Sequence, residues 1–242
     1  MLAATQGSRE GLHVRPGVHE GGGMNWTTVA DLGTALGTLI LAIATFASVR
    51  SGNRSARLSE RALLEGIRPL LLPSRLQDDV QKVGFADDHW IHLPGGHGAA
   101  DVTDDAIYLA IAIRNVGPGL AVLNAWMLYP DRAGLDGDEP GLDGFHRLTR
   151  DLYIPPRDTG FWQGTFRDSS EPGFAEAAEV IRQRESFTID ILYGDAEGGQ
   201  RVISRFSMIP ATKEKDGWVA SVSRHWNLDR EDPRNRRDGR EY

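Results

Sequence analysis

Two aspartates and three histidines lie within a stretch of eleven residues, and their side chains are of types that bind transition metals. They are Asp87, Asp88, His89, His92 and His97. Imidazole and carboxylate groups are ligands for zinc, copper and nickel. His89 and His92 differ by three positions, so on one strand their side chains point to opposite faces. Because coordination needs ligands that converge, the competing interpretation is an exposed polar hairpin. We predict no bound metal or cofactor, and keep these histidines as the metal-ligand candidates.

An acidic segment, residues 131–144, is a second candidate site. It is rich in glycine and aspartate and contains Pro140, which predicts a mobile loop. Its oxygen ligands are of the type that binds calcium, but their order differs from that of an EF-hand. The alternative is a solvated interaction loop that prefers a basic partner. The acidic residues of this loop are Asp131, Asp136, Asp138, Glu139 and Asp143.

The motifs typical of nucleophilic or phosphate chemistry are missing from the sequence. It contains no G-x-S-x-G, no H-E-x-x-H and no phosphate-cradling glycine loop. The absence of cysteine excludes disulfides, thiolate zinc sites and cysteine nucleophiles. Asp190 and Asp195 are close in sequence, but paired-carboxylate catalysis also needs a cleft and a raised pKa. We therefore predict no enzymatic activity. Four tryptophans are predicted to pack rather than to bind a ligand: Trp126, Trp162, Trp218 and Trp226.

An uncharged apolar run, residues 32–49, predicts a membrane anchor. A bilayer core about 30 Å thick takes roughly 20 helical residues at about 1.5 Å each, and Trp26 extends the 18-residue run as an interfacial anchor. The basic cluster follows the run, which is the wrong side for a cleaved signal peptide. A buried helix of a soluble domain is the other alternative. We predict a transmembrane helix over residues 24–49.

Basic residues after the apolar run predict its orientation. Residues 50–68 carry Arg50, Arg54, Arg57, Arg61 and Arg68. The N-terminal side carries Arg9 and Arg15, or no basic residue if translation starts at Met24. The positive-inside rule then places the C-terminal domain in the cytoplasm, on the inner (plasma) membrane, with residues 50–68 as a basic helix beside the anionic leaflet.

Two glycines in the apolar run, Gly33 and Gly37, form a GxxxG pair. Such a pair lets two membrane helices approach closely, and a homodimer is one interpretation. Beyond the anchor, residues 75–228 hold 24 acidic against 15 basic residues. Because phosphate contacts need concentrated lysine and arginine, we predict no nucleic-acid partner.

The rest of the chain is predicted to be mainly β. Alternating apolar residues predict strands over 68–75, 107–115, 120–129, 161–166, 186–193, 201–209 and 218–222, with one helix over 174–184. Short strands at this spacing predict an antiparallel β-sandwich of immunoglobulin-like architecture with one inserted helix. The predicted organisation is a disordered leader (1–23), the transmembrane helix (24–49), a juxtamembrane helix (50–68), the sandwich (69–228) and a disordered charged tail (229–242).

Three segments of the sequence carry a resemblance. They are Gly66-Ile67-Arg68-Pro69-Leu70, the stretch Tyr108–Ala121 around Asn115-Val116-Gly117-Pro118-Gly119, and Tyr193-Gly194-Asp195. Together they resemble uncharacterised bacterial single-pass membrane proteins with a C-terminal cytoplasmic β-sandwich. The resemblance covers roughly residues 24–225 and implies fold and topology, and it implies no catalytic residues.

Three functional hypotheses follow. The first is a membrane-tethered module that binds a protein or small ligand through the loops of its β domain. The second is a structural subunit that self-associates through its anchor. The third is an enzyme whose active site matches no motif. The missing catalytic motifs favour the first two.

Overall fold

A computed structural model describes residues 26–131, 139–211 and 217–232, apart from the side chains of Thr28 and Arg61. The predicted leader, Met24, Asp136, Asp138 and the last ten residues of the predicted tail lie outside the described residues. By its internal contacts the chain divides into two units, Met1–Leu58 and Ser59–Tyr242.

The first unit contains most of helix α1, Trp26–Glu65, which is 40 residues long. Its segment from Val29 is long and apolar enough to cross a membrane, and none of its apolar window is buried. The hydroxyls of Thr34 and Thr38 donate to carbonyls four residues earlier, at 2.9 and 2.8 Å, which satisfies these groups without water. The helix runs without a break past residue 49, so the membrane boundary stays a prediction.

The side chains of α1 that the sequence singled out are solvent-accessible. Trp26 is 77% exposed, and the predicted anchor residues Arg50, Arg54 and Arg57 are exposed as well. A Cβ built on Gly33 or Gly37 meets no atom within 4 Å. The small-residue face is therefore open in the single chain, and the homodimer stays a prediction.

The described part of the second unit contains eleven strands and helix α2 (Phe174–Arg182). The strands are β1 (Leu71–Pro73), β2 (Gln81–Gly84), β3 (Trp90–Leu93), β4 (His97–Val102), β5 (Ile107–Asn115), β6 (Ala121–Tyr129), β7 (His146–Ile154), β8 (Thr159–Phe166), β9 (Phe187–Gly194), β10 (Arg201–Pro210) and β11 (Trp218–Asn227). The mainly β prediction is thereby confirmed. The strands β2, β3, β4 and β7 were not among those predicted.

Nine strands form one antiparallel sheet that curls into a half-barrel, so the two-sheet sandwich is not confirmed. One edge of β5 pairs with β8, and the other edge pairs with β4 and then β1. From β4 the sheet continues through β11, β10, β9 and β6 to β7. Register shifts at residues 123/125 in β6 and 205/206 in β10 increase local twist. We attribute the curling of the sheet around its own apolar face to this twist.

The concave side of the sheet holds the main core. Trp126, Trp162 and Trp218 are at most 2% exposed, and Trp226 is 1% exposed in a smaller cluster. The packing role predicted for the four tryptophans is confirmed. Helix α2 contributes its buried apolar face to the main core. The β2–β3 hairpin covers a third apolar cluster beside β5.

The three segments that carry the resemblance meet at one junction. Asn115 Oδ1 accepts the backbone N–H groups of Leu70 and Gly117 at 3.2 and 3.0 Å. The Tyr193 hydroxyl accepts the N–H of Leu71 at 3.2 Å. Residue 119 must be glycine because a Cβ there would lie 1.7 Å from the carbonyl oxygen of Ile67. These motifs therefore fasten the segment after α1 to the sheet.

Ion pairs complete the junction. Both Arg68 terminal nitrogens donate to the Asp229 carboxylate, at 3.0 and 2.6 Å, and Arg230 pairs with Glu65 at 2.6 Å. The hydrogen bonds with Asp229 raise the pKa of Arg68. The sequence analysis assigned Asp229 and Arg230 to the tail, but Asp229 contacts the segment just after α1 and Arg230 contacts the last residue of α1.

Candidate functional sites

The histidines of the first candidate site have separate partners. His89 stacks on Tyr108 with ring centroids 4.0 Å apart, and its Nε2 lies 3.2 Å from Asp101 Oδ2. His97 Nδ1 lies 2.7 Å from the carbonyl oxygen of Gly95, while His92 is an exposed residue of β3. Among the described residues, no three histidine or carboxylate groups are placed to hold a metal ion. The structure does not bring this set together.

The acidic loop is only partly described, and its first residue belongs to a larger acidic surface. Asp131 lines a hollow of about 730 Å³ together with residues of α2 and the segment after it. Three glutamates share this hollow with it: Glu176, Glu179 and Glu185. Glu139 and Asp143 are exposed elsewhere in the loop. The sequence alone did not connect residue 131 with α2, because their proximity depends on the sheet.

A Ser–His contact that the sequence analysis missed lies inside the sheet. Ser204 Oγ is 2.6 Å from His225 Nδ1 and 2.8 Å from the Tyr193 hydroxyl. A serine beside a histidine is the geometry of an activated nucleophile. Ser204 has no exposed surface, so a substrate has no access to its hydroxyl in this conformation. The contact serves to connect β9, β10 and β11.

The two end strands of the curled sheet leave a cleft between them. Strand β7 pairs with β6 and strand β8 with β5, and the sheet does not close between β7 and β8. The opening has a volume of about 300 Å³. We call it the seam cleft. It is lined by Gly84, Phe85, Ala86, Trp126, His146, Arg147, Leu148, Thr149, Arg150, Leu152, Gln163, Gly164, Thr165, Arg167 and Glu171.

A local irregularity of β7 shapes one wall of the seam cleft. Leu123 pairs with Leu152 and Ala125 with Arg147, so residues 148–151 lie opposite Asn124 alone. The extra residues push β7 out of the regular ladder. Arg150 lies in this excursion, and its Nη2 donates to Gln163 Oε1 at 3.2 Å and to the carbonyl oxygen of Gly84 at 3.5 Å. The guanidinium therefore reaches across the cleft from β7 to β8.

His146 lies at the aromatic end of the seam cleft. Its ring stacks on Trp126 with centroids 4.8 Å apart and meets Phe166 edge-on at 5.1 Å. Its Nδ1 lies 3.8 Å from Glu171 Oε2. Rigid aromatic packing on two sides fixes the ring, so the polar atoms of this end are held in place before any ligand arrives.

A second hollow of about 300 Å³ adjoins the seam cleft and shares Thr165 and Arg167 with it. The carboxylate of Asp87 lines this hollow and accepts a short hydrogen bond from the Tyr108 hydroxyl. That bond lowers the pKa of Asp87 and raises the pKa of Tyr108. The two hollows together form an elongated site beside the β2–β3 hairpin.

The sequence carries a signal for one wall of this site in residues 146–154. His146, Leu148, Leu152 and Ile154 alternate with polar or exposed residues, which is the period of a half-buried strand. The charge of Arg150 on the apolar side interrupts that pattern. No sequence signal places β7 beside β8, since the seam depends on how the whole sheet curls.

No protein-family model, curated protein or solved structure matches this chain. The resemblance to bacterial single-pass proteins therefore stays a prediction.

Proposed function

We propose that this chain is a membrane-tethered binding module that receives its ligand in the seam cleft. The observation that supports this proposal most directly is the opening between β7 and β8, a concave site where charged and polar side chains converge beside a smaller apolar surface. Its volume of about 300 Å³ lies at the lower end of the range of about 300–1,000 Å³ that is typical of ligand pockets. The apolar helix α1 supports the tether, and we propose that it lies in the inner membrane with the β domain in the cytoplasm.

The experiment is hydrogen exchange of the full chain with and without a small-molecule extract of cells. We expect slower exchange in β7 and β8, because a ligand in the seam cleft shields their free edges. Strand β10 is the internal reference, since it is paired on both sides. Protection confined to other segments would contradict the proposal.

A pair of variants locates the effect. Thr165→Phe places a ring at a residue that lines the seam cleft and its neighbour, and Thr159→Phe makes the same change at the start of β8, away from both. We expect the protection to be lost in Thr165→Phe and kept in Thr159→Phe. Equal protection of β7 and β8 from hydrogen exchange in both variants would show that the ligand binds outside the seam cleft.

A second candidate function is the docking of a basic protein segment on the acidic hollow. The supporting observation is that Asp131, Glu176, Glu179 and Glu185 are all exposed around one concave surface. Such a surface should bind a lysine-rich peptide, and binding should weaken with salt because screening shortens to about 8 Å at physiological ionic strength. Glu176→Gln with Glu179→Gln should weaken that peptide's binding. Unchanged affinity would exclude this candidate.

A further inference from the structure

The seam cleft has the opposite charge to the chain that contains it. Arg147, Arg150 and Arg167 line it against one carboxylate, Glu171, and the adjoining hollow adds the carboxylate of Asp87. Three arginines against two carboxylates leave the elongated site positive, whereas the whole chain has a formal net charge of −7. A cleft lined by one sign of charge concentrates ligands of the other sign. The lining therefore favours an anion.

The guanidinium of Arg150 donates hydrogen bonds only to uncharged acceptors among the described residues. Its Nη2 donates to an amide oxygen of Gln163 and to a backbone carbonyl of Gly84. Among the described residues, neither Arg150 nor Arg167 makes an ion pair. A guanidinium has five donors in a planar fork that matches carboxylate and phosphate oxygens. Arg150 is thus positioned across the cleft with donors to spare and without a counterion.

The one acidic group in the lining does not compensate these arginines. Glu171 Oε1 accepts the backbone N–H groups of Arg167 and Asp168 at 2.5 and 3.1 Å. Its Oε2 faces His146 at 3.8 Å. Glu171 keeps its negative charge in these contacts, but its oxygens already have donors, and three arginines against this one carboxylate leave the lining of the seam cleft with a net positive charge.

The remaining lining indicates the shape of the ligand. Thr149 and Thr165 supply hydroxyl groups, while Phe85, Leu148 and Leu152 supply apolar surface. A phosphoryl group has three acceptor oxygens and a charge of about −1.5 to −2 at neutral pH, which suits several donors better than a single carboxylate does. A small organic group attached to it would contact the apolar wall.

We propose that the seam cleft binds the phosphoryl group of a small phosphate ester or of a phospholipid headgroup, with Arg150 as the principal anion-binding residue. This inference rests on the proposed binding function of the cleft and specifies the ligand class.

The test is calorimetric titration of the full chain in maltoside detergent, which contributes no phosphate. The probes are phenyl phosphate and inorganic phosphate, with phenol as the neutral counterpart. We expect phenyl phosphate to bind more tightly than phenol. Since a hydrogen bond to a charged group contributes roughly 1.5–3 kcal/mol, Arg150→Ala should weaken phenyl phosphate binding about tenfold or more.

Arg150 can contribute both a positive charge and the planar donor geometry of its guanidinium, and two further variants distinguish these contributions. Arg150→Lys keeps the charge and loses the planar fork, and should bind with intermediate affinity. Arg182→Ala removes an exposed arginine at the end of α2, outside the cleft, and should leave affinity unchanged. Equal losses in Arg150→Ala and Arg182→Ala, or no loss in either, would overturn the proposal.

Titration with dihexanoyl phosphatidic acid against dihexanoylglycerol identifies the source of the phosphoryl group. If phosphatidic acid binds more tightly than phenyl phosphate, and Arg150→Ala abolishes this tighter binding, the ligand is a lipid headgroup. If phenyl phosphate binds more tightly than phosphatidic acid, the ligand is a soluble phosphate ester. If phenol binds as tightly as phenyl phosphate and protects β7 and β8 from exchange, the ligand class is wrong and the binding function stands. If phenyl phosphate protects only segments outside the seam cleft, the proposed ligand class and the proposed binding function of the cleft are both wrong.

Discussion

Two buried polar side chains of β9 have hydrogen-bond partners on the neighbouring strand β10. Asp190 of β9 has no exposed surface, and it accepts two hydrogen bonds from Arg205 of β10, at 2.8 and 2.7 Å. Tyr193 of β9 reaches Ser204 of β10 in the same way. Since an unpaired buried polar group destabilises the fold, these pairs specify which strands lie side by side.

The Asp190–Arg205 pair should be costly to break on one side only. Asp190→Asn leaves the buried guanidinium without its counterion, which should lower the free energy of unfolding by about 3–5 kcal/mol. Replacing both residues, as in Asp190→Leu with Arg205→Met, should recover much of that loss. Urea unfolding followed by near-ultraviolet circular dichroism measures both effects. A double variant less stable than Asp190→Asn would contradict this account.

Tyr193 should make the protein sensitive to alkaline pH. Burial raises the pKa of Tyr193 to about 12, against about 10 in an unfolded chain. The folded state therefore holds the proton more tightly, so the stabilisation is complete below about pH 10 and lost as pH rises toward about 12. Two pKa units correspond to about 2.7 kcal/mol.

The check is urea unfolding of wild type and Tyr193→Phe from about pH 9 to about pH 12. Tyr193→Phe loses the hydrogen bonds to Ser204 and Leu71, so it should be about 1 kcal/mol less stable near neutral pH. The difference between the two proteins should shrink or reverse at high pH. Parallel curves across the whole range would show that Tyr193 does not titrate in this way.

Among the elements, α1 and the strand pair β7–β8 have the clearest functional meaning. Helix α1 exposes an apolar surface that a soluble chain would bury. Strands β7 and β8 leave their facing edges outside the ladder, and natural proteins normally cover such edges. We propose the bilayer as the partner of the helix surface and a ligand as the partner of the open strand edges.

The arginines after the apolar run predict a cytoplasmic β domain. A protease added to intact spheroplasts should spare residues 69–242, because the positive-inside rule keeps that side in the cytoplasm. A reporter fused to the C-terminus gives an independent reading. Digestion of the β domain from outside the spheroplasts would reverse the predicted orientation.

At the scale of the whole β domain, most of the buried apolar surface lies in the main core on the concave side of the curled sheet, with two smaller clusters beside it. Strand β5 is central to it: its residues Ile107–Ile113 and Asn115 are buried, and it pairs with three other strands. The core is therefore most sensitive at β5, and the seam cleft lies beyond its neighbour β8.

A charge in the middle of β5 should unfold the β domain. Ile111 is fully buried, so Ile111→Asp should lower the free energy of unfolding by several kcal/mol, because a carboxylate without a partner is costly in an apolar core. Val219→Asp is the matched control on β11, where Val219 is 37% exposed, and should cost much less. Thermal unfolding followed by circular dichroism compares them. Similar melting temperatures for the two variants would refute the central position of β5.

Local pattern was enough to predict most of the elements. Residues 107–115 have apolar side chains on both faces, and they form β5 with those bounds. The apolar spacing of residues 174–184 predicted α2, whose buried face is the one expected. The uncharged run predicted the apolar part of α1. Helix and strand periodicity are local properties of the chain, so they can be recognised in the sequence without knowledge of the fold.

Only the tertiary structure decides how the sheet closes and where a site can form. Strand β7 has a broken alternation because Arg150 reaches across to Gln163, and the acidic hollow combines Asp131 with α2. Sandwich and half-barrel use the same short antiparallel strands. Bulges and strand pairings between residues distant in sequence determine which of these two folds forms. Both features depend on tertiary contacts, which a local sequence pattern does not specify.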